Sequence, residues 1–253
     1  MKTTLLDAIG KTSSRLGHLS IPRTISYAHA SRLQNILADR LLSSKSHPSS
    51  KPFPDPVILT AQFHPTYTCG RREVSHVSKS HVEYLRADGR AEFFECLRGG
   101  QTTYHGPGQM TSYPILDLKR FKLSPRCYIH LLEEAVIRTI AGYGLRGVRT
   151  ENPGVWMPGG EKKICAVGVR LRRNVSSHGI GLNVKKEVMW GFNRIVACGL
   201  EGKEATSLEG EGVNGVNVEE VGNMFVGEMK KLLGVEETYR LQEQAVLALQ
   251  AES

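Results

Sequence analysis

The sequence contains no uninterrupted apolar run of the roughly 18 to 20 residues that a bilayer-crossing helix needs, and its N-terminus lacks the apolar centre of a secretory signal. Both absences point to an intracellular protein with no membrane partner. Aromatics make up only 7% of the chain, and no Lys/Arg block is interleaved with Phe or Tyr as a base-stacking platform requires. A nucleic-acid partner is therefore not expected. The cysteines, Cys69, Cys96, Cys127, Cys165 and Cys198, are odd in number and form no CxxC pair. That pattern argues against a structural zinc site and against a secreted disulfide framework, so no metal is expected and one thiol is free to work. No internal repeat is visible.

What remains is an ordinary globular composition: 253 residues, 40% hydrophobic and 23% charged, enough for one large α/β domain. Thirty-three Lys+Arg against twenty-five Asp+Glu leave a net charge of +8, which favours encounter with acidic partners. Residues 1 to 14 carry Lys2 and Lys11 among Thr and Ser, as a mitochondrial presequence does, but also Asp7 and no arginine before Arg15. They form a candidate targeting extension ahead of a single domain from 15 to 253. Ala30, Leu33, Leu37 and Leu41 recur at helical spacing between Ser26 and Ser43. The Ser- and Pro-rich stretch 43 to 56 that follows reads as an exposed loop insertion.

Val57 to Thr60 and Ala91 to Leu97 are β-like runs. Ser124 and Pro125 open a second helix with Ile129, Leu132, Val136 and Ile140 on its buried stripe and Gly142 or Gly144 as its stop. Between Lys163 and Leu171 the odd positions share one face of a strand, while Ala166 and Gly168 leave the other open to close approach. A helix from Asn217 to Gly234 buries Val221, Phe225 and Leu232, and the last fifteen residues read as one more. With strands clustered between 57 and 185, the class is α/β or α+β with a mixed sheet.

Arg98-Gly99-Gly100-Gln101-Thr102-Thr103-Tyr104-His105-Gly106-Pro107-Gly108-Gln109 packs four glycines around one Arg and one His. Such backbone can approach a ligand closely, yet its spacing is neither GxGxxG nor GxxxxGK[ST]. Its alternative is a tight β-hairpin with His105 bonded to backbone. Cys198, in Val196-Ala197-Cys198-Gly199-Leu200-Glu201-Gly202, has the apolar approach and trailing glycines that present a nucleophile, or else it is a small buried hydrophobe. A thiol with a pKa of roughly 8.5 needs a nearby ammonium or imidazole to ionise at neutral pH. Lys162, Lys163, His105 and His178 are the candidates. Lys163 faces inward on its strand, where desolvation favours a proton acceptor. His178 is otherwise a core histidine satisfied by Ser176, Ser177 or Asn183. Cys165 is mid-strand and reads as packing, and Cys69, Cys96 and Cys127 as structural. His64 joins His105 and His178 as a candidate for lining the site.

Four blocks in order, RGGQTTYHGPGQMTSYP, PGVWMPGGEKKICAVGVRLRR, SSHGIGLNV and VACGLEGKEATSL, resemble the lipoyl(octanoyl) transferases over roughly residues 15 to 235. The resemblance implies the fold of biotin and lipoate protein ligases, a mixed sheet flanked by helices. It places the family's nucleophile on Cys198, with Ala197 where proline is usual, and the family's lysine on Lys163. Acyl-contacting positions fall on Arg98, Gly99, Gly100, Gln101, Thr102, Thr103, Tyr104 and His105, on Ala166, Val167 and Gly168, and on Gly179, Ile180 and Gly181 beside His178. The implied reaction moves octanoyl from acyl carrier protein to Cys198 and then to a lipoyl-domain lysine, without ATP or another cofactor. The implied acceptors are lipoyl domains of 2-oxoacid dehydrogenase complexes and the glycine cleavage H protein, and Gly99, Gly100, Ala166, Gly168 and Gly179 are expected to leave room for the alkyl chain. The insertion and N-terminal extension resemble a eukaryotic, fungal-like member, which implies mitochondria. Rival readings are an ATP-dependent lipoate or biotin protein ligase, an enzyme moving octanoyl between two lipoyl domains, and a basic RNA-binding module.

Overall fold

In a computed structural model, which describes residues 15–47, 53–195 and 202–250, the chain folds as β1 (Arg15–Ile25), α1 (Tyr27–Ser46), β2 (Val57–Phe63), β3 (Thr66–Cys69), α2 (Lys79–Arg86), β4 (Glu92–Glu95), β5 (Thr103–His105) and β6 (Gln109–Ile115). It continues through α3 (Pro125–Ala141), β7 (Val155–Trp156), β8 (Lys162–Arg172), β9 (Val175–Asn183), α4 (Met189–Phe192), β10 (Glu204–Ala205), α5 (Val218–Leu233), β11 (Glu237–Arg240) and α6 (Glu243–Ala248).

β2 explains the layering. Its run VILTAQF is buried at every position but Gln62, because the sheet is covered on both faces. Ile58 points into a core shared with α3 and α5, where Leu132, Val136, Val221 and Phe225 pack. Its neighbours Val57, Leu59 and Ala61 point the other way, against Leu33, Leu37 and Leu41 of α1. Burying a side chain such as Leu33 stabilises the fold by about 2 kcal/mol.

The main sheet runs β10-β8-β9-β6-β2-β1-β11, with β7 also paired to β8. It is mixed: β1 pairs in parallel with β2 and β11, as β10 does with β8, while β2, β6, β9 and β8 form an antiparallel run. A second, three-stranded sheet, β4-β3-β5, carries a smaller core of Tyr67, Leu85, Ala91, Tyr104 and Val188.

Caps form at Ser124 and Asn217, where the sequence placed helix starts, and also at Ser26. Ser26, Ser124 and Asn217 accept backbone N–H bonds at the starts of α1, α3 and α5, and Gly234 ends α5 in the left-handed region at φ +66°. Four expectations are corrected. Strands are not confined to 57–185, since β1 and β11 pair with each other at one sheet edge. The last residues are not one helix, because β11 takes Glu237–Arg240 and α6 is only six residues long. α1 absorbs the first residues of the expected 43–56 insertion by running to Ser46; residues 48–52 lie outside the described part. Ile129 is only half-buried and outside the α3 stripe, which Tyr128, Leu131 and Ala135 share with Leu132, Val136 and Ile140. α2, unanticipated, is only eight residues long and buries only Leu85.

Candidate active site

A cavity of about 360 Å³ lies over the β8/β9 hairpin, walled by the 98–105 segment and floored by Ala166, Gly168, Gly179 and Gly181. The register makes the floor: Ala166 pairs with Gly181 and Gly168 with Gly179, so small residues meet on one face. On the opposite face, Cys165, paired with Leu182, and Val167, paired with Ile180, pack in or against the α3/α5 core.

The space beside these small residues is not all left to ligand, contrary to expectation. A Cβ on Gly179 would sit 2.2 Å from the Ser112 carbonyl oxygen, and one on Gly181 2.8 Å from Gln109 Oε1. The glycines of β9 therefore let β6 come close, and Gly168 similarly receives the stem of Arg98, whose Cδ a Cβ there would approach to 3.2 Å.

Arg98 organises one wall. Its Nη2 donates to the Thr68 carbonyl at 2.5 Å and to Thr68 Oγ1 at 2.9 Å, and Nη1 donates to the Gly99 carbonyl at 3.0 Å. The Gly99 N–H donates to the Val169 carbonyl at 2.9 Å, which draws the turn over β8. Glu73 holds the next step, accepting from both the backbone N–H and the hydroxyl of Thr102 at 2.5 and 2.7 Å.

Thr103 and His105 line the cavity, but Tyr104 does not. Strand alternation sends Tyr104 to the other side, where its ring packs against Tyr67, Trp190 and Phe192. The hairpin alternative for this segment also fails, since β5 pairs with β3 while β6 belongs to the main sheet. His105 donates from Nδ1 to Gln109 Oε1 at 2.7 Å rather than to backbone, and Gln109 Nε2 donates onward to Asn183 Oδ1 at 2.9 Å. Burial, reinforced by the Arg98 charge, lowers the His105 pKa to about 4 against the weaker pull of the Gln109 bond, so the ring is neutral at pH 7.

His178 lines the cavity from β9 and its pKa is lowered to about 3, first by burial and then by Arg98, His105 and Arg170. Neither Ser176 nor Asn183 satisfies it: Ser176 Oγ donates to the Pro114 carbonyl, Asn183 Nδ2 to the Thr206 carbonyl. His64 is exposed and away from the cavity lining, and Cys127 is exposed on α3 rather than structural. Cys69, Cys96 and Cys165 are buried, and burial pushes the Cys165 thiol well up, so it is packing.

At the other end of the cavity Lys163 is buried, its Nζ 4.9 Å from the centre of the Trp156 ring. β10 pairs alongside, Glu204 with Lys162 and Ala205 with Lys163, and the Thr206 N–H donates to the Lys163 carbonyl at 2.9 Å. Lys162 is exposed, its Nζ 3.6 Å from Glu211 Oε1. Cys198 lies outside the described residues, but Ile195 and Ala205, on either side of its segment, both line the cavity. Arg72, Tyr113, Asn152, Pro153 and Phe192, which the sequence did not single out, also line it, and so does Ile129, which the sequence assigned to the core. The arrangement can hold a slender apolar group along a small-residue floor, with the Lys163 amine at one end and neutral imidazoles at the other.

Comparison with known proteins agrees with this geometry. A family model described as the lipoyl protein ligase A/B catalytic domain matches residues 26–230. A probable octanoyltransferase of Schizosaccharomyces pombe is 44% identical over 190 residues, covering 75% of this chain and 83% of that protein. The mitochondrial octanoyltransferase of Saccharomyces cerevisiae is 36% identical, covering 75% and 63%. The mitochondrial octanoyl-[acyl-carrier-protein]:protein N-octanoyltransferase of Danio rerio is 36% identical, covering 81% and 85%. Among solved structures, a lipoate-protein ligase A bound with ATP aligns at a TM-score of 0.65 and 16% identity, covering 95% of this chain and 93% of that one, a likeness of fold alone.

Proposed function

The chain belongs to the lipoyl protein ligase A/B catalytic-domain family and is an acyltransferase of the octanoyltransferase kind, and we propose that Cys198 and Lys163 carry its chemistry within a single catalytic domain spanning 15–253. The enzyme transfers octanoyl from acyl carrier protein to lipoyl-domain lysine, the first step of protein lipoylation. In the proposed course Lys163 favours the Cys198 thiolate, which attacks the octanoyl thioester; the carrier thiol leaves with a proton. The acceptor amine then attacks the new Cys198 thioester, an amide forms, and the cysteine departs as thiol. Thioester to amide is downhill, so ATP is not required.

One observation carries this reading: Lys163 and both flanks of the Cys198 segment border the same cavity. Cys198 is three residues beyond Ile195, so their Cα atoms are at most about 11 Å apart. The floor and walls at Arg98 to Thr103, His105, Ala166 to Gly168 and His178 to Gly181 would take the alkyl chain, retained at up to about 0.8 kcal/mol per buried CH₂. The +8 net charge suits acidic carrier and lipoyl domains, for which we name those of the 2-oxoacid dehydrogenase complexes and the H protein. The mitochondrial names of two relatives favour mitochondria as the compartment.

The test mixes the protein with octanoyl-carrier protein without ATP and reads the intact mass. The expected gain is one octanoyl group, about 126 Da, labile to hydroxylamine, absent in Cys198→Ser and strongly reduced in Lys163→Ala. Acyl transfer that appears only with ATP and free octanoate, and survives Cys198→Ser, would move the protein to the ligase reading.

A further inference from the structure

A second, wider cavity of about 800 Å³ opens between α1 and the β4 edge, bordered by Tyr27, Gln34, Phe94, Leu97 and Arg170. Among the described residues its lining shares one member with the acyl cavity, His178. His178 pairs with Val169, and the Lys163 side chain reaches to the level of Cys165, since a Cβ on Gly154 would meet both the Cys165 carbonyl oxygen and Lys163 Nζ; four positions of β8, about 13 Å, then separate the amine from His178, a span that an extended eight-carbon thioester fills.

Several features hold its ring in this place without using its chemistry. The backbone is left-handed, φ +56°, which breaks the alternation of β9. Gln34 Oε1, reaching from α1, accepts the His178 N–H at 2.5 Å, and the ring rests edge-on against Tyr113 at 5.4 Å between centroids. Nδ1 is buried and has no hydrogen-bond partner among the described residues. No group of three or more His, Cys, Asp or Glu among the described residues offers it a metal site. What the ring does there is occupy space.

We propose that His178 is the stop that sets acyl-chain length, separating the octanoyl cavity from the groove beneath α1. The proposal rests on the octanoyl-transfer reading above. An apolar cavity that ran on into a groove would favour longer chains, since each further buried CH₂ adds up to about fourfold in binding. Preference for a short chain therefore needs a wall, not merely an attractive pocket. The methyl end of an eight-carbon chain abuts the His178 ring, and a twelve-carbon chain has to displace it.

The experiment offers equimolar octanoyl- and dodecanoyl-carrier protein to the full chain in one tube and reads the ratio of the two covalent adducts by intact mass. The ratio is internal to each sample, so a partly unfolded variant still reports. His178→Gly should raise the dodecanoyl share relative to octanoyl at least tenfold, whereas His178→Phe, which refills the wall, should leave the ratio within a few fold of wild type. Should the glycine variant not fold, His178→Asn tolerates the left-handed backbone and shortens the side chain, and it should shift the ratio the same way. An unchanged ratio in the shortened variant, or loss of both adducts in a variant that folds, would overturn the stop. Absence of the octanoyl adduct in the wild type is a different result, and it removes the transfer reading itself.

Discussion

His105 and His178 face one cavity from different walls, the first at the end of β5 and the second inside β9. Both are nearly inaccessible, at 7% and 6% exposure, and both are held neutral by burial and by the same Arg98 charge. Their surroundings are otherwise opposite. His105 lies in a chain of bonds that runs through Gln109 to Asn183 and on to the Thr206 carbonyl, so it ties β5, β6, β9 and the start of the β10–α5 connection together. His178 has a strained backbone and a ring nitrogen without a partner among the described residues. A fold keeps such a residue only when its surroundings over-determine it, and such strain clusters where function requires it. The comparison teaches that the β5 wall is built for stability, and the β9 wall for the shape of what it encloses.

The largest effect is expected from removing what the two walls share. Arg98→Ala leaves the Thr68 and Gly99 carbonyls without their guanidinium donors and empties the space beside Gly168. Losing buried charge-assisted hydrogen bonds of this kind should cost about 4 kcal/mol, read as a lower urea midpoint at unchanged m-value. A loss under about 1 kcal/mol would mean that water replaces the guanidinium and that the walls do not depend on it.

Acid should act next. The folded-state pKa values of His105 and His178, about 4 and about 3, lie below the ordinary 6.5, and His18, half-buried and facing the Arg240 charge, is also lowered to about 4. Between these values and 6.5 the unfolded chain binds more protons, so stability is full above about pH 6.5 and falls as pH drops through that window. In full, below pH 4, the His105 share is on the order of 3 kcal/mol. Measured between pH 4.5 and 6, the slope of unfolding free energy against pH should flatten by up to about 1.4 kcal/mol per unit in His178→Gly. An identical slope in that variant would show that His178 is already solvated.

These residues also show how far the sequence could be read. The helices with capping signals and apolar stripes were legible, as were the α/β class and most of the cavity wall, because small residues alternate along the single strand β8 and Arg98 to His105 is one contiguous stretch that runs into β5. Tyr104 was misjudged for the same reason: a contiguous motif invites every member into the site, while strand alternation turns each second one away. Ile129, Phe192 and Ile195 were missed because an apolar residue at helix spacing looks the same whether it meets core or cavity. Glu73 and Gln34 hold key backbone N–H groups from 29 and 144 residues away, and such pairings exist only once the sheets have formed. Nothing local in the sequence marks the left-handed backbone at His178 either, since it follows from the meeting of β9 with α1.

The smallest expected effect is the sharpest test of the contrast. Glycine at 178 would lose the ring's edge contact with Tyr113, but it would also release the left-handed strain, which is worth roughly 1 kcal/mol for a non-glycine residue. The two nearly offset, so His178→Gly should change unfolding free energy by no more than about 1 kcal/mol in either direction at pH 7. Glycine at 105 has no strain to release; it would leave Gln109 Oε1 without its imidazole donor and remove a ring packed against Phe63, and should cost about 3 kcal/mol. Equal losses at the two positions would break the comparison, for they would make His178 as much a part of the frame as His105. A near-neutral His178→Gly leaves shape as the reason for keeping a strained imidazole at the end of the cavity.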